Sequence, residues 1–159
     1  MTGPVIVGII YSVTVIILCF LKPTAGRIFL GIFFIIMGLG VNLTFLLTNP
    51  TFVFDYGKEA WLSLYQFLTK TIIGLNPPLF GIFLILFEVT TGLFILAKKY
   101  LVKIGLIGTM VFVLLLVPTH PEQIVWAISI AGNIFLLTRN FDISLIDMII
   151  KRLKKHKNS

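Results

Sequence analysis

The chain has 159 residues, 58% of them hydrophobic and 12% charged, with a mean hydropathy of +1.07. A water-soluble domain of this size could not cover so apolar a surface, so the composition excludes one and implies an all-α integral membrane protein. The net charge of +7 does not point to nucleic acid, because the basic residues gather at the ends of apolar runs and in the last stretch of chain.

Five apolar segments are predicted to be membrane helices, at roughly 4–21, 27–48, 79–97, 101–117 and 123–138. The first is expected to be a retained span and not a cleaved signal peptide, since Lys22 and Arg27 follow it and no small-residue cleavage site is present. Its cysteine, Cys19, is the chain's only one, which excludes an internal disulfide, an iron–sulfur cluster and a cysteine-rich zinc site. The second segment carries a stripe of Gly31, Gly38, Asn42 and Asn49.

Residues 49–78 form a long connection. Trp61, Leu64, Tyr65, Leu68, Ile72 and Leu75 recur at helical spacing, with Lys58, Glu59, Ser63, Gln66 and Lys70 opposite. This pattern predicts an amphipathic helix at the membrane surface or folded over the mouth of the bundle, with Trp61 at the interface. Asn76-Pro77-Pro78 ends it.

The third segment holds Glu88 near its middle. A charged side chain at the centre of a span costs roughly 2.5–3.5 kcal/mol on insertion scales, so it is expected to face the bundle interior. Gly81, Thr91, Gly92 and Ile95 share its face. With Asn42 in the second segment and Asn133 in the fifth at similar depth, a polar centre of Glu88, Asn42 and Asn133, with Thr91 beside it, is predicted to bind a ligand or handle protons. The alternative is that the two amides hold helices together and Glu88 specifies the fold. No catalytic residue and no metal site are predicted, and both histidines, His120 and His156, lie outside the apolar segments.

The tail, "DISLIDMIIKRLKKHKNS", reads as a basic amphipathic helix capped by Asp142 or Ser144, with Ile146, Ile149, Ile150 and Leu153 on one side. Lys151, Arg152, Lys154 and Lys155 are expected to meet anionic lipid at the cytoplasmic surface. Five spans with the N-terminus outside place eleven of the thirteen Lys and Arg residues on the inner side, leaving Lys58 and Lys70 outside. The expected location is the plasma (cell) membrane.

"GRIFLGIFFIIMGLG", "FEVTTGLFILAKK" and "DISLID" resemble, in order and spacing, motifs of the DoxX-like membrane protein family. The resemblance spans about residues 26–147 and implies a four-helix transmembrane bundle (26–141), with 1–25 as an extra N-terminal span and 142–159 as the tail. It implies acidic positions at Glu88 and Asp147, and a subunit of a quinone-linked redox complex, not catalytic on its own, with quinone as ligand and other membrane subunits or further copies of itself as partners. Other members of that family resemble chaperones, so a non-enzymatic membrane assembly protein is the alternative. A small transporter is less favoured, for want of an internal repeat.

Overall fold

The computed structural model describes residues 3–157, and side chains from residue 5 to residue 154. Helices α1 (Gly3–Leu21), α2 (Pro23–Thr48), α5 (Pro77–Leu96), α6 (Tyr100–Leu116) and α7 (Ser129–Leu137) make the bundle, α7 being entered through a 3-10 stretch at Pro121–Ile128. Helices α3 (Phe52–Lys58) and α4 (Ser63–Thr71) lie in the connection between α2 and α5, and α8 (Leu145–Lys157) is the tail. Among the described residues there is no strand. Pro23–Thr48, Pro77–Leu96 and Tyr100–Thr119 are long and apolar enough to cross a membrane, whereas Val5–Leu21 and Pro121–Leu137 are shorter apolar helices. Ile32, Ile36, Leu86, Leu93, Ile107 and Leu114 are exposed on the outside of the bundle, the surface expected where the surrounding medium is hydrocarbon.

The five apolar elements form a closed ring. α1 packs on α2, α2 on α5, α5 on α6, α6 on α7, and α7 with its 3-10 lead returns to α1. Close approach of α2 and α5 depends on paired glycines: a methyl group at Gly92 would lie 2.6 Å from the Gly31 carbonyl oxygen, and one at Gly31 3.0 Å from the Gly92 oxygen. At the end of the ring near Lys22 and Lys99, Leu30, Ile95, Val102, Leu106 and Leu136 fill the interior with no side-chain exposure.

Arg27 locks that filled end. It is 1% exposed, its Nη1 donates to the Ala97 carbonyl (3.1 Å) and its Nη2 to the Ile143 carbonyl (3.0 Å), and its guanidinium stands 4.8 Å from the centre of the Phe141 ring. Ala97 follows the last turn of α5, whose free carbonyls carry partial negative charge. Beyond it, Ser144 caps α8: Ser144 Oγ accepts from Asp147 N and Asp147 Oδ2 accepts from Ser144 N. Those bonds, with Lys98 at 3.4 Å, hold the Asp147 carboxyl below its ordinary pKa. The cap is therefore Ser144 and not Asp142. Ile146, Ile149, Ile150 and Leu153 of α8 are exposed, as are Lys151, Arg152 and Lys154, while the Lys155 side chain lies outside the described residues.

Two local expectations are corrected. The single amphipathic helix predicted in the connection is broken at Glu59–Leu62, because the Trp61 N–H donates to the Thr119 carbonyl (3.2 Å) and Gln66 Nε2 to the Ala60 carbonyl (2.7 Å). Asn49 belongs to no buried stripe. It is exposed, accepts from Thr51 and donates to Asp55, fastening α3 to the end of α2.

Replacing Gly92 by Val is expected to lower stability in detergent by about 1–3 kcal/mol through overpacking. Gly40→Ala, whose added methyl would meet only Ile36 at 3.7 Å, is expected to change it by less than about 0.5 kcal/mol. Thermal unfolding of the two variants checks the contrast.

Candidate functional site: a carboxyl under a capped cavity

The glutamate at the middle of α5 faces inward, as its small-residue neighbours imply. Gly81, Ile85, Glu88, Thr91, Gly92 and Ile95 are all buried, Glu88 to 1% exposure. Opposite it, α2 widens by one residue into a π turn at Met37–Asn42, in which the Leu43 N–H reaches back to the Gly38 carbonyl. The Gly40 carbonyl in that turn accepts from Thr44 Oγ1 at 2.6 Å. Gly38 lets the turn lie against α5, since a methyl group there would stand 3.3 Å from Glu88 Cβ. Turns of this kind recur at functional sites. Here the turn carries Asn42, whose Nδ2 donates to Glu88 Oε2 at 2.6 Å. Glu88 Oε1 is buried and has no hydrogen-bond partner among the described residues.

Glu88 and Asn42 line a cavity of about 820 Å³, within the ~300–1,000 Å³ common for small-molecule sites. Its walls are aromatic, with Phe33, Phe34, Phe112 and Trp126 among them. The roof is the connection: Val53 and Tyr56 from α3, Tyr65, Leu68 and Thr69 from α4, and Ile72 just beyond it. The predicted helix is thus folded over the mouth, while Trp61, Leu64 and Leu75 are exposed on its far side. α3 and α4 pack tightly through Gly57 against Thr69. Gln123 Nε2 donates to Tyr56 OH at 2.5 Å, and the Tyr56 ring lies 4.4 Å from that of His120, joining the roof to the start of the fifth element. Burial raises the pKa of the Tyr56 hydroxyl above its ordinary value, so it stays a hydroxyl at neutral pH. Asp55 ties the roof to α2: its Oδ1 accepts from Lys58 Nζ (2.7 Å), and its Oδ2 from Thr51 Oγ1 (2.8 Å) and Asn49 Nδ2 (3.1 Å).

The expected three-residue polar centre resolves into two separate pairs. Asn133 is fully buried, but its Oδ1 accepts from Thr109 Oγ1 (3.0 Å) and its Nδ2 donates to the Ser129 carbonyl (3.2 Å), so it joins α6 to α7 and does not line the cavity. Each polar end of its amide has a partner within the bundle, and neither partner is Glu88. Thr91 is buried against Gly108 of α6, where an added methyl would fall 2.9 Å from Thr91 Oγ1. Tyr56 and Gln123 had no distinguishing sequence signal, since each lies outside the small-residue stripes; Arg27 opens the motif of the second segment, four residues before Gly31. Among the described residues, no group of three or more His, Cys, Asp or Glu side chains is placed to hold a metal.

The Asn42–Glu88 bond is directly testable. Asn42→Leu strands the Glu88 carboxyl and is expected to cost about 1–3 kcal/mol, whereas Asn42→Leu combined with Glu88→Leu costs less than the two single changes added together. Unfolding of all four proteins in one detergent closes the cycle. A second expectation concerns the roof. Hydrogen bonds from Lys58, then Thr51 and Asn49, hold the Asp55 pKa down from 3.8 to about 2. A depressed pKa means that this contribution is complete above pH 3.8 and is lost as pH falls through about 2. Amide exchange of residues 52–58 is therefore expected to speed up across that window, and Asp55→Asn should show fast exchange at neutral pH.

No family model, curated protein or solved structure matches the chain, so a functional reading rests on its own residues and geometry.

Proposed function

We propose that this protein binds a lipophilic, ring-bearing molecule of the quinone kind inside its bundle, as a membrane subunit that works with a partner redox protein. The observation that carries the reading is the Glu88 carboxyl, with one oxygen held by Asn42 and the other unbonded, lining an aromatic cavity of about 820 Å³. A carboxyl can donate or accept at its second oxygen according to protonation, so it matches both the carbonyl of a quinone and the hydroxyl of the reduced form. Aromatic walls suit a flat ring, since offset and edge-on ring contacts add about 0.5–1.5 kcal/mol beyond burial. The order of the motifs resembling the DoxX-like family supports the same assignment.

In this reading the chain crosses the membrane five times with its N-terminus outside, and the roof covers the cavity on the outer side. The charge distribution supports that orientation, with eleven of thirteen basic residues falling on the inner side. The tail helix lies against anionic inner-leaflet headgroups, through exposed Lys151, Arg152 and Lys154 beside the apolar face of Ile146, Ile149, Ile150 and Leu153. The protein's part is to bind and orient the ring, exclude water from it and offer a proton-carrying group at Glu88. Electrons come from the partner subunit.

Titration of the purified protein with a decyl-substituted benzoquinone tests the reading. Glu88→Leu is expected to weaken binding by roughly tenfold, the loss of one buried hydrogen bond, and Glu88→Gln by less. Equal affinity in wild type and Glu88→Leu would overturn it. If, in addition, Glu88→Leu left co-purification of a membrane partner intact, the chaperone-like assembly role would be favoured.

A further inference from the structure

A second hollow lies on the outside of the bundle. It is a groove of about 500 Å³ between α5 and α6, lined by Phe83, Leu86, Phe87, Thr90, Thr91, Phe94, Ile104 and Gly108. Leu86 and Ile104 are exposed there, on the face that meets lipid. Two of its residues, Phe83 and Phe87, also line the cavity that holds Glu88. The two spaces therefore border the same pair of aromatic side chains, both of them exposed. Behind this pair the aromatic surface continues inward. Phe87 stacks on Phe112 with ring centres 6.4 Å apart, and Phe112 meets the buried Phe34 edge-on at 5.4 Å. Gly108 keeps the groove open beside Thr91, where a side chain would intrude.

We infer that the α5–α6 groove is the lateral entry by which the lipophilic ligand passes from the bilayer into the Glu88 cavity, with Phe83 and Phe87 as its door. The inference rests on the ligand-binding reading above and adds the route. A molecule that partitions into hydrocarbon has no need to enter through the capped mouth, where Tyr56, Gln123 and the roof helices close the way. The door needs only side-chain rotation, which for exposed aromatics is fast compared with motion of a helix. The ladder of rings from Phe87 to Phe34 offers a flat ligand continuous stacking partners on the way in.

The test uses the full chain in lipid nanodiscs with Trp61→Phe, which leaves Trp126 on the cavity wall as the only tryptophan. A decyl-substituted benzoquinone is the probe, and stopped-flow quenching of Trp126 reads its entry. Thr90→Phe, an exposed position that touches the groove and not the cavity, is expected to slow association about tenfold while leaving the equilibrium affinity unchanged. Phe87→Ala is expected to speed association, and Ile17→Phe, exposed on α1 and lining neither space, to leave it at the wild-type rate. Saturable quenching with wild-type association rates in both Thr90→Phe and Phe87→Ala would overturn the lateral entry and leave the binding reading standing. Absence of saturable quenching in the wild type would overturn the binding reading, and the entry with it. Should Phe87→Ala fail to fold, Thr90→Phe carries the test alone.

Discussion

A carboxyl group placed in the middle of an apolar bundle must find a hydrogen-bond partner or be expelled, and much of this molecule is arranged around that demand. The Asn42–Glu88 bond joins α2 to α5, a pair whose backbones approach closely through Gly31 and Gly92. Each part depends on the other. Without the glycines the helices would stand too far apart for a 2.6 Å bond, and without the bond a buried carboxyl would weigh against their closeness. The π turn that presents Asn42 sacrifices regular helix geometry at the one place where α2 faces Glu88.

The bundle is unequal from end to end. Toward Lys22, Lys99 and the tail it is packed solid with Leu30, Ile95, Val102, Leu106 and Leu136, and tied by Arg27 to the carbonyls of Ala97 and Ile143. Toward α3 and α4 it is hollow. Between α6 and α7 the Asn133 amide bonds within the bundle and at the packed end both Nη atoms of Arg27 do, while Glu88 Oε1, like Arg27 Nε and Trp126 Nε1, is buried with no hydrogen-bond partner among the described residues. A buried acceptor without a partner is costly, so its retention beside a cavity is the physical basis of the functional proposal. The roof adds to it, since Asp55, Tyr56 and Gln123 hold two short helices over the cavity.

Hydropathy and small-residue spacing made the helices and the inward face of α5 legible from sequence alone. The apolar runs match α1, α2, α5, α6 and α7 with its 3-10 lead to within a few residues, and Glu88 lies on the face shared by Gly81, Thr91, Gly92 and Ile95. Partner choice was not legible. Asn42 and Asn133 look equivalent as single amides at mid-span, and only the packing order of the ring decides that one meets Glu88 and the other Thr109. The break at Glu59–Leu62 was hidden because its cause is the Thr119 carbonyl, far along the chain. Arg27 reads as one more flanking charge, and its burial depends on carbonyls of residues 97 and 143 that no local pattern announces.

The central claim is that a ring-bearing lipophilic molecule sits in the cavity against Glu88. Photo-crosslinking with a diazirine-bearing benzoquinone in native membranes, mapped by peptide mass spectrometry, tests it most directly. Labels on Phe34, Tyr65 or Phe112, within the cavity and under its roof, are the expected result. Labels confined to lipid-facing positions such as Leu93, Ile107 and Ile128, unchanged by excess unlabelled quinone, would contradict it.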